Sequence, residues 1–163
     1  MAPLFVIAAG LAFAVVVDVR TRRIPNVLTG SMAAAGFMLA AIGAGVTPLQ
    51  ALYGLLVGLA VMMPAHLIGA TGAGDVKLVA AVGSLVGPGL AFKVCLYTAV
   101  SGGAFALAIA AQRGLLSSTI YGARQLVIAP AGAREVIESS SRANRFPYAP
   151  AIAAGTVVAL VLG

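Results

Sequence analysis

Six apolar stretches dominate this chain, roughly Ala2 to Val17, Val27 to Val46, Leu49 to Ala70, Val76 to Val86, Leu90 to Ala111 and Tyr148 to Leu162. A membrane-crossing helix needs about 20 apolar residues, within a range of about 17–25, and most of these stretches meet or approach that length. Charged residues make up only 9% of the 163 positions while 61% are hydrophobic, and the mean hydropathy is +1.08. An ordinary soluble domain carries about 25% charged residues. So few charges cannot cover a water-facing surface, which excludes the soluble globular class. The expected fold is all-α, a polytopic membrane helix bundle with about six transmembrane helices.

The fourth stretch is the short one. Eleven residues from Val76 to Val86 would rise only about 16 Å as a helix, and the Gly87-Pro88-Gly89 turn closes it. Met1 to Val17 lacks the basic start of a signal peptide and runs straight into Asp18 and an arginine cluster, so it reads as a retained first span. Short cytoplasmic loops are enriched in Lys and Arg. With the N-terminus outside, Arg20, Arg22, Arg23, Lys77, Arg113, Arg124, Arg134, Arg142 and Arg145 all fall on the cytoplasmic side and only Lys93 falls outside. The opposite orientation reverses that count.

The net charge of +6 does not point to nucleic acid, because the basic residues form neither a stripe nor an aromatic-interleaved patch. Cys95 is alone and sits in an apolar run, so no disulfide framework or paired-cysteine metal site is expected within the chain. Neither a metal nor a cofactor is expected. No repeat or second domain is visible, and residues 1–163 read as one membrane-embedded domain. Residues 112–147 form a long polar stretch containing Glu135, Glu138 and Ser139 to Ser141, expected as a cytoplasmic loop. Its Leu115, Leu116, Ile120, Leu126, Val127 and Ile128 suit part of it to the membrane interface. Gly54 with Gly58, and Gly83 with Gly87, have the spacing that permits close helix packing. Packing within the chain is favoured over dimerisation, and a homo-oligomer stays open.

The topology puts the only two aspartates, Asp18 at the end of span one and Asp75 at the start of span four, at the same membrane face. Ionisable residues at membrane depth are costly and mark functional sites. Two carboxyls within a few ångströms cannot both ionise and therefore share a proton. One can then activate a water while the other, protonated, polarises a scissile carbonyl. Helix-end charges suggest Asp75 as the resting base and Asp18 as the resting acid. Structural alternatives exist for each: an N-terminal helix cap for Asp75, and for Asp18 a surface ion pair with Arg20, Arg22 or Arg23. Gly69, Gly72 and Gly74 either let a bound peptide approach the backbone or form a loop that takes positive φ. Pro25 and Asn26 look like the start of the second helix. His66, the single histidine, reads as a satisfied residue of span three.

The strings Asp18-Val19-Arg20-Thr21-Arg22-Arg23-Ile24-Pro25-Asn26 and Gly72-Ala73-Gly74-Asp75-Val76-Lys77-Leu78 together resemble the signature of type IV prepilin peptidases. The closing Phe146-Pro147-Tyr148-Ala149-Pro150-Ala151-Ile152-Ala153 is similar to that family's last span. The resemblance implies an intramembrane aspartic endopeptidase of the Gly-x-Gly-Asp type in the bacterial cytoplasmic membrane, with Asp18 and Asp75 as the catalytic pair. Its partners would be prepilins or pseudopilins, whose short basic leader is removed at the cytoplasmic face, and the lipid bilayer. By position in the motifs, Gly72, Gly74, Lys77, Pro25 and Asn26 would line the substrate path or support the acids. The larger, methylating members carry an extra region with paired cysteines. The chain is therefore expected to be similar to the short, peptidase-only form of Tad/Flp pilus systems. A proton-coupled transporter using the same acids as a relay is the alternative, though relay acids belong near mid-span. A non-catalytic assembly subunit is the third reading.

Overall fold

The computed structural model describes residues 1–112 and 147–162. Within them the chain forms six helices and no strand: α1 (Ala2–Thr21), α2 (Asn26–Ala41), α3 (Pro48–Leu67), α4 (Ala73–Val86), α5 (Pro88–Gln112) and α6 (Ala149–Leu162). This is the helical membrane bundle that the hydropathy implies. By length and composition α1, α3 and the Pro88–Ala108 part of α5 can cross a bilayer, and α2 and α6 are shorter apolar helices. The interfacial segment expected within residues 112–147, with Glu135, Glu138 and the later arginines, lies outside the described residues except at its two ends.

Local chemistry sets the breaks. Helix α1 stops where Arg22 adopts a left-handed conformation, φ 52°, and returns its amide to the Asp18 carbonyl at 2.7 Å, a common way to satisfy a helix C-terminus. Pro25 then precedes α2 in extended conformation. Helix α3 opens with a reciprocal cap. The Gln50 amide donates to Thr47 Oγ1 and the Thr47 amide to Gln50 Oε1, with Pro48 in the first turn. Gly87, at φ 81°, turns the chain directly from α4 into Pro88 of α5. The expected Gly-Pro-Gly turn is thus present, but α4 begins three residues before the expected Val76, because its first turn is polar.

Helix α4 is the axis of the bundle and contacts each of the other five helices. Every residue from Leu78 to Leu85 is buried. The large apolar side chains left exposed, among them Phe5, Phe13, Met38, Leu56, Leu96 and Val161, lie on the surrounding helices. In water such an outer surface would be a liability; against lipid tails it is the ordinary face of a membrane bundle. Association inside lipid relies on close packing, and the α3–α4 seam achieves it with glycine. A Cβ on Gly54 would run into the Gly83 carbonyl, one on Gly83 into the Gly54 carbonyl, and one on Gly58 into the backbone of Ala80. Both spaced glycine pairs therefore serve contacts within the chain.

Candidate active site

Asp18 lies on the last turn of α1 and points inward, only 5% exposed, whereas Arg20, Arg22 and Arg23 remain exposed. The partner of its Oδ2 is the backbone amide of Ala149, 2.9 Å away at the first residue of α6. The surface ion pair with an arginine is thus replaced by a buried hydrogen bond to the far end of the chain. That bond also completes the start of α6, whose first amides have no partner within the helix. Ala149 donates to Asp18, Pro150 has no N–H, and Ala151 and Ile152 donate to the Tyr148 carbonyl at 3.0 and 3.2 Å.

Asp75 sits in the first turn of α4, 8% exposed. Its Oδ2 accepts the Gly72 amide at 2.8 Å, so it reaches back to cap its own helix from the third position. Asp18 lies within electrostatic reach of Asp75, as does His66. Two helix starts, those of α4 and α6, therefore bring the only two aspartates of the sequence to one end of the bundle. Each carboxyl now faces a helix N-terminus. Asp18 still stands on the last turn of α1 and Asp75 in the first turn of α4, so at Asp18 the start of α6 opposes the helix-end effect expected from α1 alone.

The other expected residues fall into place around α4. The Lys77 ammonium donates to Asn26 Oδ1 at 2.9 Å, tying the start of α4 to the start of α2. Both residues line a groove of about 280 Å³ between α2, α3 and α4, with Thr29, Leu55 and Leu59. Two residues along a helix are about 200° apart, so Lys77 projects away from the side of α4 that carries Asp75. Pro25 precedes α2 and accepts the Leu28 amide through its carbonyl at 3.1 Å. The neighbouring Ile24 packs against Gly74, where an added Cβ would come within 3.1 Å of it. The two strings therefore meet twice, at Ile24 with Gly74 and at Asn26 with Lys77.

Gly72 has an ordinary φ of −78°; the positive φ in this loop falls on Gly69, at 80°. His66 Nδ1 is 3.0 Å from the Thr71 carbonyl and pins the same loop, as suits a satisfied histidine. The residues that sequence reasoning did not bring to the site are Tyr148 and Ala149. Tyr148 lies within electrostatic reach of Asp75, and Ala149 holds Asp18. The one available signal was the helix start around Pro150, inside the closing string already matched to a last span.

No curated protein and no solved structure matches this chain. The model of the type IV leader peptidase family matches residues 5–107, a span that contains both aspartates, both glycines of the α4 cap, Lys77, Pro25 and Asn26. With that match over most of its length, the chain belongs to the type IV leader peptidase family.

Proposed function

We propose that the protein is an intramembrane aspartic endopeptidase that removes the short basic leader of type IV prepilins or pseudopilins, with Asp18 and Asp75 as its catalytic pair. Two buried carboxyls within electrostatic reach of each other at one end of an apolar bundle are the observation that carries this reading. The ionised carboxylate takes a proton from a water, whose oxygen attacks the scissile carbonyl carbon. The protonated carboxyl meanwhile hydrogen-bonds the carbonyl oxygen and stabilises the charge developing there. Collapse of the tetrahedral intermediate breaks the carbon–nitrogen bond, and the leaving amine departs with a proton. Gly72 and Gly74 flank the path to the pair. Pro25, Asn26 and Lys77 support it by joining the starts of α2 and α4.

The site opens on the cytoplasmic face of the bacterial inner membrane, a placement supported by the nine-to-one distribution of Lys and Arg. Both acids lie at helix ends rather than at mid-helix, which favours a peptidase over a proton relay. The only cysteine, Cys95, is buried. The resemblance of the chain's motifs to the short Tad/Flp-type form supports reading the activity as leader cleavage without methyl transfer.

The structural alternative is that both acids merely cap helices, and substitution by asparagine separates the two. Asparagine keeps a side-chain oxygen that can accept the same backbone N–H but cannot exchange a proton. A candidate prepilin is co-expressed in membranes with the wild type, Asp18→Asn or Asp75→Asn, and loss of the leader is followed by mass. Both variants should accumulate normally and lose cleavage by about 100-fold or more, in line with the usual contribution of a positioned acid or base. Cleavage at the wild-type rate by either variant refutes the dyad.

A further inference from the structure

The family match ends at residue 107, yet among the described residues the hydrogen-bond donor to the Asp18 carboxyl is the amide of residue 149. What fixes that donor is the seam between α5 and α6. At one point of the seam Gly155 of α6 meets the backbone of Thr98, where an added Cβ would lie 2.5 Å from the Thr98 amide nitrogen. One turn along α5, Gly102 is buried beneath Tyr148, and an added Cβ there would lie 2.5 Å from the hydroxyl oxygen and 2.7 and 2.8 Å from ring carbons Cε2 and Cζ. Tyr148 is half-buried, and its carbonyl accepts the first two amides inside α6. Ring, carbonyl and the amide that binds Asp18 therefore belong to two adjacent residues joined by one peptide link.

We propose that Tyr148 is a positioning residue of the aspartate pair: its ring, seated on Gly102 of α5, sets the start of α6 so that the Ala149 amide meets Asp18. The side chain acts through the backbone of its neighbour and takes no part in bond breaking. Catalysis is sensitive to such placement, since a 1 Å error can cost about 100-fold. The six-membered ring is the part that matters, and a phenylalanine serves as well as the tyrosine. The position also explains why α6 begins with Tyr-Ala-Pro. The one amide of the first turn that no carbonyl can reach is kept for Asp18, and the next residue has none to satisfy.

This inference rests on the peptidase reading, and the experiment tells the two failures apart. The purified full-length chain is assayed against a prepilin for kcat and KM, with membrane accumulation and thermal unfolding followed in parallel. The variants are Tyr148→Phe, Tyr148→Leu, Gly102→Ala, Ala149→Pro and the pair Tyr148→Leu with Ala149→Pro. Tyr148→Phe should stay within about twofold of the wild type, while Tyr148→Leu and Gly102→Ala should lose about tenfold in kcat with KM within about twofold. A ring that only stabilised the bundle would lower the amount of folded enzyme and leave kcat per folded molecule unchanged. Once Ala149→Pro has removed the amide, Tyr148→Leu should cost nothing further, because residues acting through one contact are not additive. A wild-type kcat for Tyr148→Leu, an equal loss for Tyr148→Phe, or losses that multiply in the pair each overturn the proposal. If Tyr148→Leu does not accumulate, Gly102→Ala decides alone: it keeps every atom of the ring and only displaces it. A wild type that leaves all prepilins intact refutes the peptidase reading instead.

Discussion

Asp75 is held by an amide three residues before it, and Asp18 by an amide 131 residues further along the chain. The first arrangement is complete as soon as the opening turn of α4 forms. The second exists only when α6 has docked on α5 and closed against α1. One acid of the pair is thus a local feature of a helix start, and the other is a product of the whole fold. Anything that loosens the last helix should disturb Asp18 first and leave Asp75 in place.

Removing the distant amide should have the largest effect. Proline suits the first position of a helix, where its missing N–H costs no internal bond, so Ala149→Pro preserves α6 while deleting the donor to Asp18 and crowding its carboxyl. We expect a fall in kcat of about 10- to 100-fold with α6 retained by circular dichroism. Wild-type turnover in this variant would mean that Asp18 is held by something else in the working enzyme.

The same contrast decides what could be read from the sequence. The helices were legible because their apolar stretches are long, and the start of α4 was misplaced because Asp75 and Lys77 interrupt its apolar pattern. The cap on Asp75 was within reach, since Gly72 and Asp75 have the three-residue spacing of a helix-start box. The glycines of α3 and α4 announced close packing, although only the fold pairs Gly54 with Gly83. Nothing local to Asp18 announces Ala149. A backbone amide carries no residue identity, and its arrival depends on how α5 and α6 pack, which apolar periodicity does not specify.

Disturbing the local hold should be milder. A Cβ at Gly72 would sit 3.0 Å from Asp75 Oδ2, so Gly72→Ala pushes the carboxyl by a few tenths of an ångström without straining the backbone. A loss of about threefold in kcat is expected, together with about 0.5–1 kcal/mol of stability, because alanine is a poor residue at a helix N-cap. A loss as large as that of Ala149→Pro would erase the distinction between the two aspartates.

The smallest effect belongs to Lys77. Its ammonium is exposed, bonds Asn26 at 2.9 Å, and leaves α4 about 200° around the helix from Asp75. Cutting that bond removes a link between α2 and α4, worth about 0.5–1.5 kcal/mol, and touches neither carboxyl. Lys77→Ala and Asn26→Ala should therefore unfold at nearly the same, slightly lowered temperature, with the double variant no worse than either single one. Both should cleave within about twofold of the wild type, since nothing made only in the transition state is lost. A drop of tenfold or more in kcat for Lys77→Ala alone, with Asn26→Ala unaffected, would mean that the lysine leaves Asn26 during turnover and reaches the substrate. The supporting bond would then be the resting state of a working group, and the hold on Asp75 would no longer be purely local.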